Sequence, residues 1–289
     1  MKYVTLNELC KTIRDNIWKV PRDIDFIIGN PRSGMIAAGI IASFLNVPMI
    51  DVNSFVAGAK PSGGNRLMYF MSGHTPTRKV LVVDDTVSSG RSMNKVKEKL
   101  SGFTGIQFVY MCVYMEGLGI DTVDFYMEDL RAFTKNFTTI VFYEWNIMQH
   151  HEEFMERFLF DIDGVFCLEP PDERNEEEYL KYIENATPLF IPRTKIGGII
   201  TFRLLKNKEI TQRWLEKVGI TYDKLMMFNA NSWEERMKSG VTPEQYKAWN
   251  YKKNEQFMLM IESSDYQASR IAEMAGKPVY CVESNKLYQ

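Results

Sequence analysis

The sequence predicts an α/β protein made of two doubly wound, Rossmann-like domains with mainly parallel sheets. Three observations predict it. Val80-Leu81-Val82-Val83 is apolar throughout, with three β-branched residues, the pattern of a strand buried on both faces at the centre of a parallel sheet. Phe158-Leu159-Phe160 is a second such run, and both lead straight into carboxylates. Between them lies a polar break at Gln149-His150-His151-Glu152-Glu153, after which the alternation of strand and helix patterns restarts. The expected domains are therefore residues 1–149 and 152–289.

Composition allows both cores. The 289 residues suit one large domain or two ordinary ones, and 45% hydrophobic with 13% aromatic content can fill them. A net charge of −2 and a pI near 6.0 leave no electrostatic footprint for nucleic acid or an anionic membrane surface. Cys10, Cys112, Cys167 and Cys281 are scattered without a Cys-x-x-Cys pair, as expected of reduced, mostly buried thiols. The adjacent histidines suit a linker or helix surface, since no third metal ligand is visible. With no signal-peptide pattern at the start and no apolar run of spanning length, the expectation is a cytoplasmic protein that does not use a membrane.

In the first half, Leu6, Leu9, Ile13, Ile17 and Trp18 recur at helical spacing within residues 4–19. Asp25-Phe26-Ile27-Ile28-Gly29 is a strand, Asn30 to Gly34 a turn, Met35 to Leu45 a helix, and Val47 to Ile50 the next strand. Together they make a right-handed βαβ unit. A polar, glycine-rich tract, Gly58 to Arg66, reads as a loop or hairpin that offers Lys60 and Arg66. Gln107 to Tyr114 is a strand, and Val123 to Tyr126 and Ile140 to Trp145 are further aromatic-rich runs.

The middle of this half carries the chemistry. After Val83 come Asp84-Asp85, then Thr86-Val87-Ser88-Ser89-Gly90-Arg91-Ser92, opening an amphipathic helix to Leu100. Backbone amides, hydroxyls and a helix start form an anion cradle. Carboxylates at the strand tip suit a sugar diol or hydrated Mg²⁺. Phosphate donors beside diol acceptors describe a sugar phosphate. An ordinary buried strand with an N-capped helix would need no adjacent acids. The stretch resembles the motif by which type I phosphoribosyltransferases bind phosphoribosyl pyrophosphate (PRPP): four hydrophobic residues, two acids, a variable run, then Thr-Gly-x-Thr. The resemblance implies that Asp84 and Asp85 hold the ribose hydroxyls and that Thr86 to Ser92 hold the 5-phosphate. It also implies that Arg32, Ser33 and Gly34 hold pyrophosphate with Mg²⁺, under a closing loop. Ile140 to Trp145 is similar to the Phe-Pro-Trp-Glu ending of xanthine- and guanine-type members, with Tyr143 in place of the proline. Purine-type members carry an acid where Ser88 stands, and a hydroxyl is a poor base. Either the acceptor arrives anionic or another group moves the proton.

The second half runs from Phe160 into Asp161-Ile162-Asp163-Gly164-Val165. Carboxylates two apart at a strand end point the same way, so one can attack phosphorus while the other shuttles a proton. The stretch resembles the first motif of the haloacid dehalogenase (HAD) superfamily, most of whose members are Mg²⁺-dependent phosphatases. That implies Asp161 as nucleophile and Asp163 as general acid and base. Other stretches are similar to later HAD motifs. Gly198 to Arg203 resembles the second, with Thr201 and Arg203 binding phosphate. Lys247, or else Lys252, resembles the charge-neutralising lysine. Met258 to Asp265 resembles the acidic fourth motif, so that Asp161, Asp163, Glu262 and Asp265 would hold Mg²⁺, with Glu262 replacing the usual aspartate. About thirty residues separate the first two motifs, among them an acidic run from Glu169 to Glu178 that reads as a solvated helix start. So short a cap leaves room for bulky substrates. Trp214, Trp233 and Trp249 read as core or site-wall residues.

These resemblances imply a bifunctional enzyme of nucleotide metabolism. A nucleobase-like acceptor and PRPP give a nucleotide and pyrophosphate, and a phosphomonoester is hydrolysed through an aspartyl-phosphate. The alternatives are a PRPP- or nucleotide-binding sensor without transferase activity attached to a HAD phosphatase, or a chain whose phosphatase alone is active. A homodimer is the assembly type I relatives often form, although no apolar stripe here demands one.

Overall fold

Val80 to Val83 are fully buried in the strand Arg78–Val87, the middle member of a five-stranded, all-parallel sheet. The order is Met49–Asp51, Phe26–Gly29, Arg78–Val87, Ile106–Met115, Phe125–Asp129. The computed structural model describes residues 1–63, 78–134, 140–171 and 174–289. Period-two alternation sorts the strands onto two cores. Ile27, Leu81 and Val83 meet Ala37, Ala38 and Ile41 of the helix Gly34–Leu45, while Ile28, Val80 and Val82 meet Met93, Val96 and Leu100 of the helix Arg91–Leu100. The middle strand outruns its apolar stretch because Thr86 and Val87 still pair with Tyr114 and Met115. The chain winds outward from Phe26–Gly29 to Met49–Asp51, then resumes on the other side at Arg78–Val87. That reversal is a topological switch point, where ligands settle beyond the carboxyl ends of the strands.

The amino-terminal helix is shorter than its periodicity suggested. Leu6–Asn16, closed by a Thr5–Glu8 capping box, gives way to a 3₁₀ turn Ile17–Lys19 that leaves Trp18 75% exposed. Lys2–Val4 pairs in parallel with Val141–Tyr143, a two-stranded sheet whose first strand the sequence reading did not find.

The chain divides into two compact units, Lys2–Trp145 and Asn146–Gln289, the latter with Met1. The second unit carries a six-stranded sheet ordered Tyr222–Phe228, Ile196–Leu204, Phe158–Phe160, Leu259–Glu262, Val279–Cys281, Lys286–Tyr288, of which only the last strand is antiparallel. Its switch point lies between Phe158–Phe160 and Leu259–Glu262. Leu159, Ile200 and Met260 pack with Ala248 and Tyr251 of the helix Pro243–Lys253 and with Ala268 and Ile271 of the helix Asp265–Ala275. The edge strands Tyr222–Phe228 and Lys286–Tyr288 were not expected. Among the described residues no helix is long and apolar enough to cross a membrane. All four cysteines are free, and only Cys10 is exposed.

Candidate functional site

In the first unit, Asp84 and Asp85 lie beside the switch point and are buried, 6% and 4% exposed. Successive strand residues face opposite ways, so the two acids have different partners. Asn30 Nδ2 donates to Asp84 Oδ2 and to Ser92 Oγ, both at 2.7 Å, tying the neighbouring strand to the acid and to the first helical turn. Asp85 accepts from Ser33 Oγ at 2.9 Å and from Trp145 Nε1 at 2.7 Å. Burial, and then the charge of Asp85, push the Asp84 carboxyl up to about 8.

The turn holding Arg32, Ser33 and Gly34 presses on this strand tip. A Cβ on Gly34 would come within 2.9 Å of both Asp84 Oδ1 and Val83 O, so only glycine lets the backbone this close. Arg32 is exposed, Ser33 half-buried, and the Pro31–Arg32 peptide is cis. On the other flank, Ser88, Ser89, Arg91 and Ser92 are exposed, and Gly90, at φ +78°, starts the helix Arg91–Leu100. Thr86 is half-buried, while Val87 turns into the core and its carbonyl accepts from the Glu116 amide at 2.9 Å. The loop therefore presents hydroxyls and first-turn amides outward.

Two glycines missed in the sequence shape this loop from behind. Ser88 O accepts from Gly119 N at 2.8 Å. A Cβ on Gly117 would lie 2.6 Å from Ser88 O, and one on Gly119 2.5 Å from Gly90 N. Their spacing just after a strand was the available signal. Asn30 and Glu116 were missed too, since a single polar residue at a strand end stands out only once its partners are known. Lys60 is exposed, and Arg66 lies outside the described residues.

In the second unit, the helix Pro243–Lys253 delivers Lys247 into the interior. Its Nζ donates to Asp161 Oδ2 and Glu262 Oε2, each at 2.8 Å, and to Gln267 Oε1 at 3.0 Å. Lys252 is exposed, so Lys247 is the lysine at the carboxylates. Burial and the neighbouring carboxylates push Asp161 well above its ordinary value, against the pull of Lys247, because one ammonium cannot balance two buried carboxylates. Burial alone would lower Lys247, but Asp161 and Glu262 outweigh it and hold the ammonium above its usual range.

Asp163 has other partners. The chain leaves strand geometry after Phe160, and the same-face expectation ends there. Arg203, 1% exposed, grips Asp163 with Nε to Oδ2 at 3.0 Å and Nη2 to Oδ1 at 2.6 Å, and Tyr182 Oη donates to Oδ1 at 3.0 Å. Arg203 was expected on phosphate and here serves Asp163 instead; its Nη1 has no partner among the described residues. Thr201 is buried, its Oγ1 accepting from the Arg203 amide at 3.2 Å. Asp265 does not join the group, since its carboxylate accepts from Tyr288 Oη at the start of the helix Asp265–Ala275. Glu169 accepts from Ser263 Oγ at 3.1 Å, while the rest of the acidic run enters the helix Glu176–Asn185 as expected, Asp172 and Glu173 lying outside the described residues. Trp214 is core, its Nε1 donating to Ala186 O at 3.0 Å, whereas Trp249 is 56% exposed rather than core.

Among the described residues no three His, Cys, Asp or Glu side chains gather to hold a metal. Asp161 with Glu262 is a smaller set, yet it suits Mg²⁺, which usually takes one or two carboxylates and completes its shell with water and substrate phosphate. Their shared deficit of positive charge favours a cation.

Several solved structures are similar to the first half of the chain. The purine phosphoribosyltransferase of Pyrococcus horikoshii is 21% identical over 50% of this chain and 92% of its own, at a TM-score of 0.35. The xanthine-guanine-hypoxanthine phosphoribosyltransferase of Helicobacter pylori is 14% identical over 50% and 93%, at 0.36. The orotate phosphoribosyltransferase of Aeropyrum pernix is 19% identical over 45% and 74%, at 0.33. No curated protein matches the chain. Residues 3–141, within the amino-terminal unit, match the family model described as phosphoribosyl transferase domain.

Proposed function

We propose that the first unit transfers a phosphoribosyl group from PRPP to a nucleobase-like acceptor, and that the second hydrolyses a phosphomonoester by HAD-type chemistry with Mg²⁺. One juxtaposition carries the first reading. Diol acceptors (Asp84, Asp85), an outward anion loop (Ser88 to Ser92) and the Arg32–Gly34 turn meet at one switch point, linked by Asn30 and Ser33. Asp84 and Asp85 accept from the ribose hydroxyls, the loop amides and hydroxyls hold the 5-phosphate, and the Arg32 turn holds pyrophosphate. Positioning and charge stabilisation then do most of the work of displacing pyrophosphate at the anomeric carbon. Incubating the full chain with labelled PRPP, Mg²⁺ and a panel of bases tests the reading. Pyrophosphate release dependent on an added base supports it, and PRPP binding without release points to a sensor.

The second reading is supported by Asp161 and Lys247 meeting at the other switch point. Lys247 holds Asp161 Oδ2 and leaves Oδ1 to attack phosphorus, the ester oxygen departing with the electron pair. Asp163 then accepts a proton from the water that splits the aspartyl-phosphate, and Thr201, on the strand Ile196–Leu204 that pairs with Phe158–Phe160, is the hydroxyl assigned to a phosphoryl oxygen. Asp161 and Glu262 would hold Mg²⁺, which supplies charge neutralisation on the phosphoryl oxygens. Asp161→Asn should abolish phosphate release while leaving pyrophosphate release intact; loss of neither overturns this half.

A further inference from the structure

The transfer site has a gap at Ser88, where the residue type cannot take a proton at neutral pH. The structure brings a carboxylate to the same place from the next strand. Glu116 follows Ile106–Met115, its amide donates to Val87 O at 2.9 Å, and Gly117 behind it would strike Ser88 O at 2.6 Å if it carried a Cβ. Its side chain faces the acid pair through an aromatic wall. Tyr143 Oη donates to Glu116 Oε1, the Tyr143 and Trp145 rings lie 4.8 Å apart, and Trp145 Nε1 donates to Asp85. Tyr143 engages one oxygen, and among the described residues the other has no hydrogen-bond partner. The other acids nearby are committed: Asp84 and Asp85 to Asn30, Ser33 and Trp145, and Asp129 to Arg131 at 2.6 Å.

We propose that Glu116 is the proton acceptor of the transfer site and that it reads an N–H on a flat heterocyclic acceptor. This rests on the transfer reading given above. As the ring nitrogen bonds to the ribosyl anomeric carbon, its proton passes to Glu116, and the bond from that carbon to pyrophosphate breaks with its electron pair leaving on pyrophosphate. Burial also raises the Glu116 carboxyl, with Tyr143 opposing and Asp85 adding, which brings it toward the pH at which a base works best. A carboxylate selects acceptors presenting an N–H donor and rejects those presenting a carbonyl or a methylated nitrogen there.

The test is equilibrium binding to the full chain of paired probes, each nucleobase beside its ring-N-methyl derivative, for wild type, Glu116→Gln and Glu116→Asp. Wild type should prefer the N–H form at least tenfold for one pair. Glu116→Gln should lose most of that preference, and Glu116→Asp should keep part of it. A preference unchanged in Glu116→Gln, or absent in wild type, overturns the inference, and the Gln control separates recognition of the proton from the bulk of the methyl group. Pyrophosphate release is measured in parallel. Where wild type turns over, Glu116→Gln should lower kcat about 10²-fold or more and leave KM for PRPP unchanged. Binding preference without any release would refute the transfer reading while upholding Glu116 as the acceptor-reading group.

Discussion

Asp84→Asn should make the ligand-free protein more stable at alkaline pH, and the gain should vanish in acid. Among the described residues no cation pairs with buried Asp84, whose carboxyl burial and then the charge of Asp85 push up to about 8 against an ordinary 3.8. Below about pH 4 the acid is neutral in folded and unfolded chains alike, so it costs nothing. As pH rises the unfolded chain sheds the proton first, stability falls, and the loss is complete above about pH 8. About four powers of ten in proton affinity, at 1.36 kcal/mol each, set a ceiling of about 6 kcal/mol. The amide cannot reproduce both acceptances, from Asn30 Nδ2 and from the Asp85 amide, and losing one costs about 1 kcal/mol. Screening inside the protein trims the remainder, so a net gain of about 2–4 kcal/mol is expected at pH 8.5. Urea unfolding of both proteins at pH 5 and pH 8.5, at one ionic strength, measures it. The difference between the differences isolates this group from every other titration. An equal gap at the two pH values, or a less stable variant at pH 8.5, refutes the reasoning. PRPP binding should be lost in the same variant, a stabilising change that removes function.

Other perturbations follow from the same contacts. Gly34→Ala puts a methyl group 2.9 Å from Asp84 Oδ1 and Val83 O, so it should cost about 1–3 kcal/mol in urea unfolding and abolish PRPP binding by calorimetry. Lys247→Met leaves Asp161 and Glu262 buried without their shared cation. A loss of about 3–5 kcal/mol is expected at alkaline pH, shrinking as the pH falls because burial raises the Asp161 carboxyl and lets it take up a proton, and a loss independent of pH would exclude this cause. Arg203 grips both oxygens of Asp163, which in that geometry cannot donate a proton to a leaving group. Aryl phosphates, which need no acid, should therefore outpace alkyl phosphates in wild type, and Arg203→Gln should narrow the ratio several-fold; an unchanged ratio shows that the clamp does not limit the acid step.

What the sequence made legible was whatever local patterning controls. Val80 to Val83 and Phe158 to Phe160 announce central strands because burial on both faces removes polar residues, and the acids that follow mark where each apolar stretch ends, by their cost in a core. Strands on an edge or in a small sheet announce little. Lys2–Val4 and Lys286–Tyr288 are three residues each, and Tyr222–Phe228 opens with Tyr222, Asp223 and Lys224, so pairing partners far along the chain define them. Side-chain partners were harder still. Lys247 and Lys252 sit one and a half turns apart on one helix, and only packing decides which enters the core. Arg203 fits a phosphate site by type, and its diversion to Asp163 depends on Tyr182 and Cys167, which arrive from the segment between the motifs.

The two acid pairs show why spacing alone did not fix chemistry. Adjacent acids on a strand must diverge, and Asp84 and Asp85 do, toward donors that are all neutral: Asn30, Ser33 and Trp145. Asp161 and Asp163 were expected to converge but diverge toward Lys247 and Arg203, both cations. The second site therefore sets two cations against three carboxylates, Asp161, Asp163 and Glu262, whereas in the first, burial and then Asp85 raise the Asp84 carboxyl to about 8, so that it favours its protonated form at pH 7. Under the proposed reading a ribose diol takes that carboxylate as its acceptor, so PRPP binding at pH 7 should expel the held proton. Calorimetry of PRPP binding in buffers of differing ionisation enthalpy should register close to one proton released at pH 7 and almost none above pH 9. Release that does not change with pH would mean that Asp84 is already ionised in the free protein.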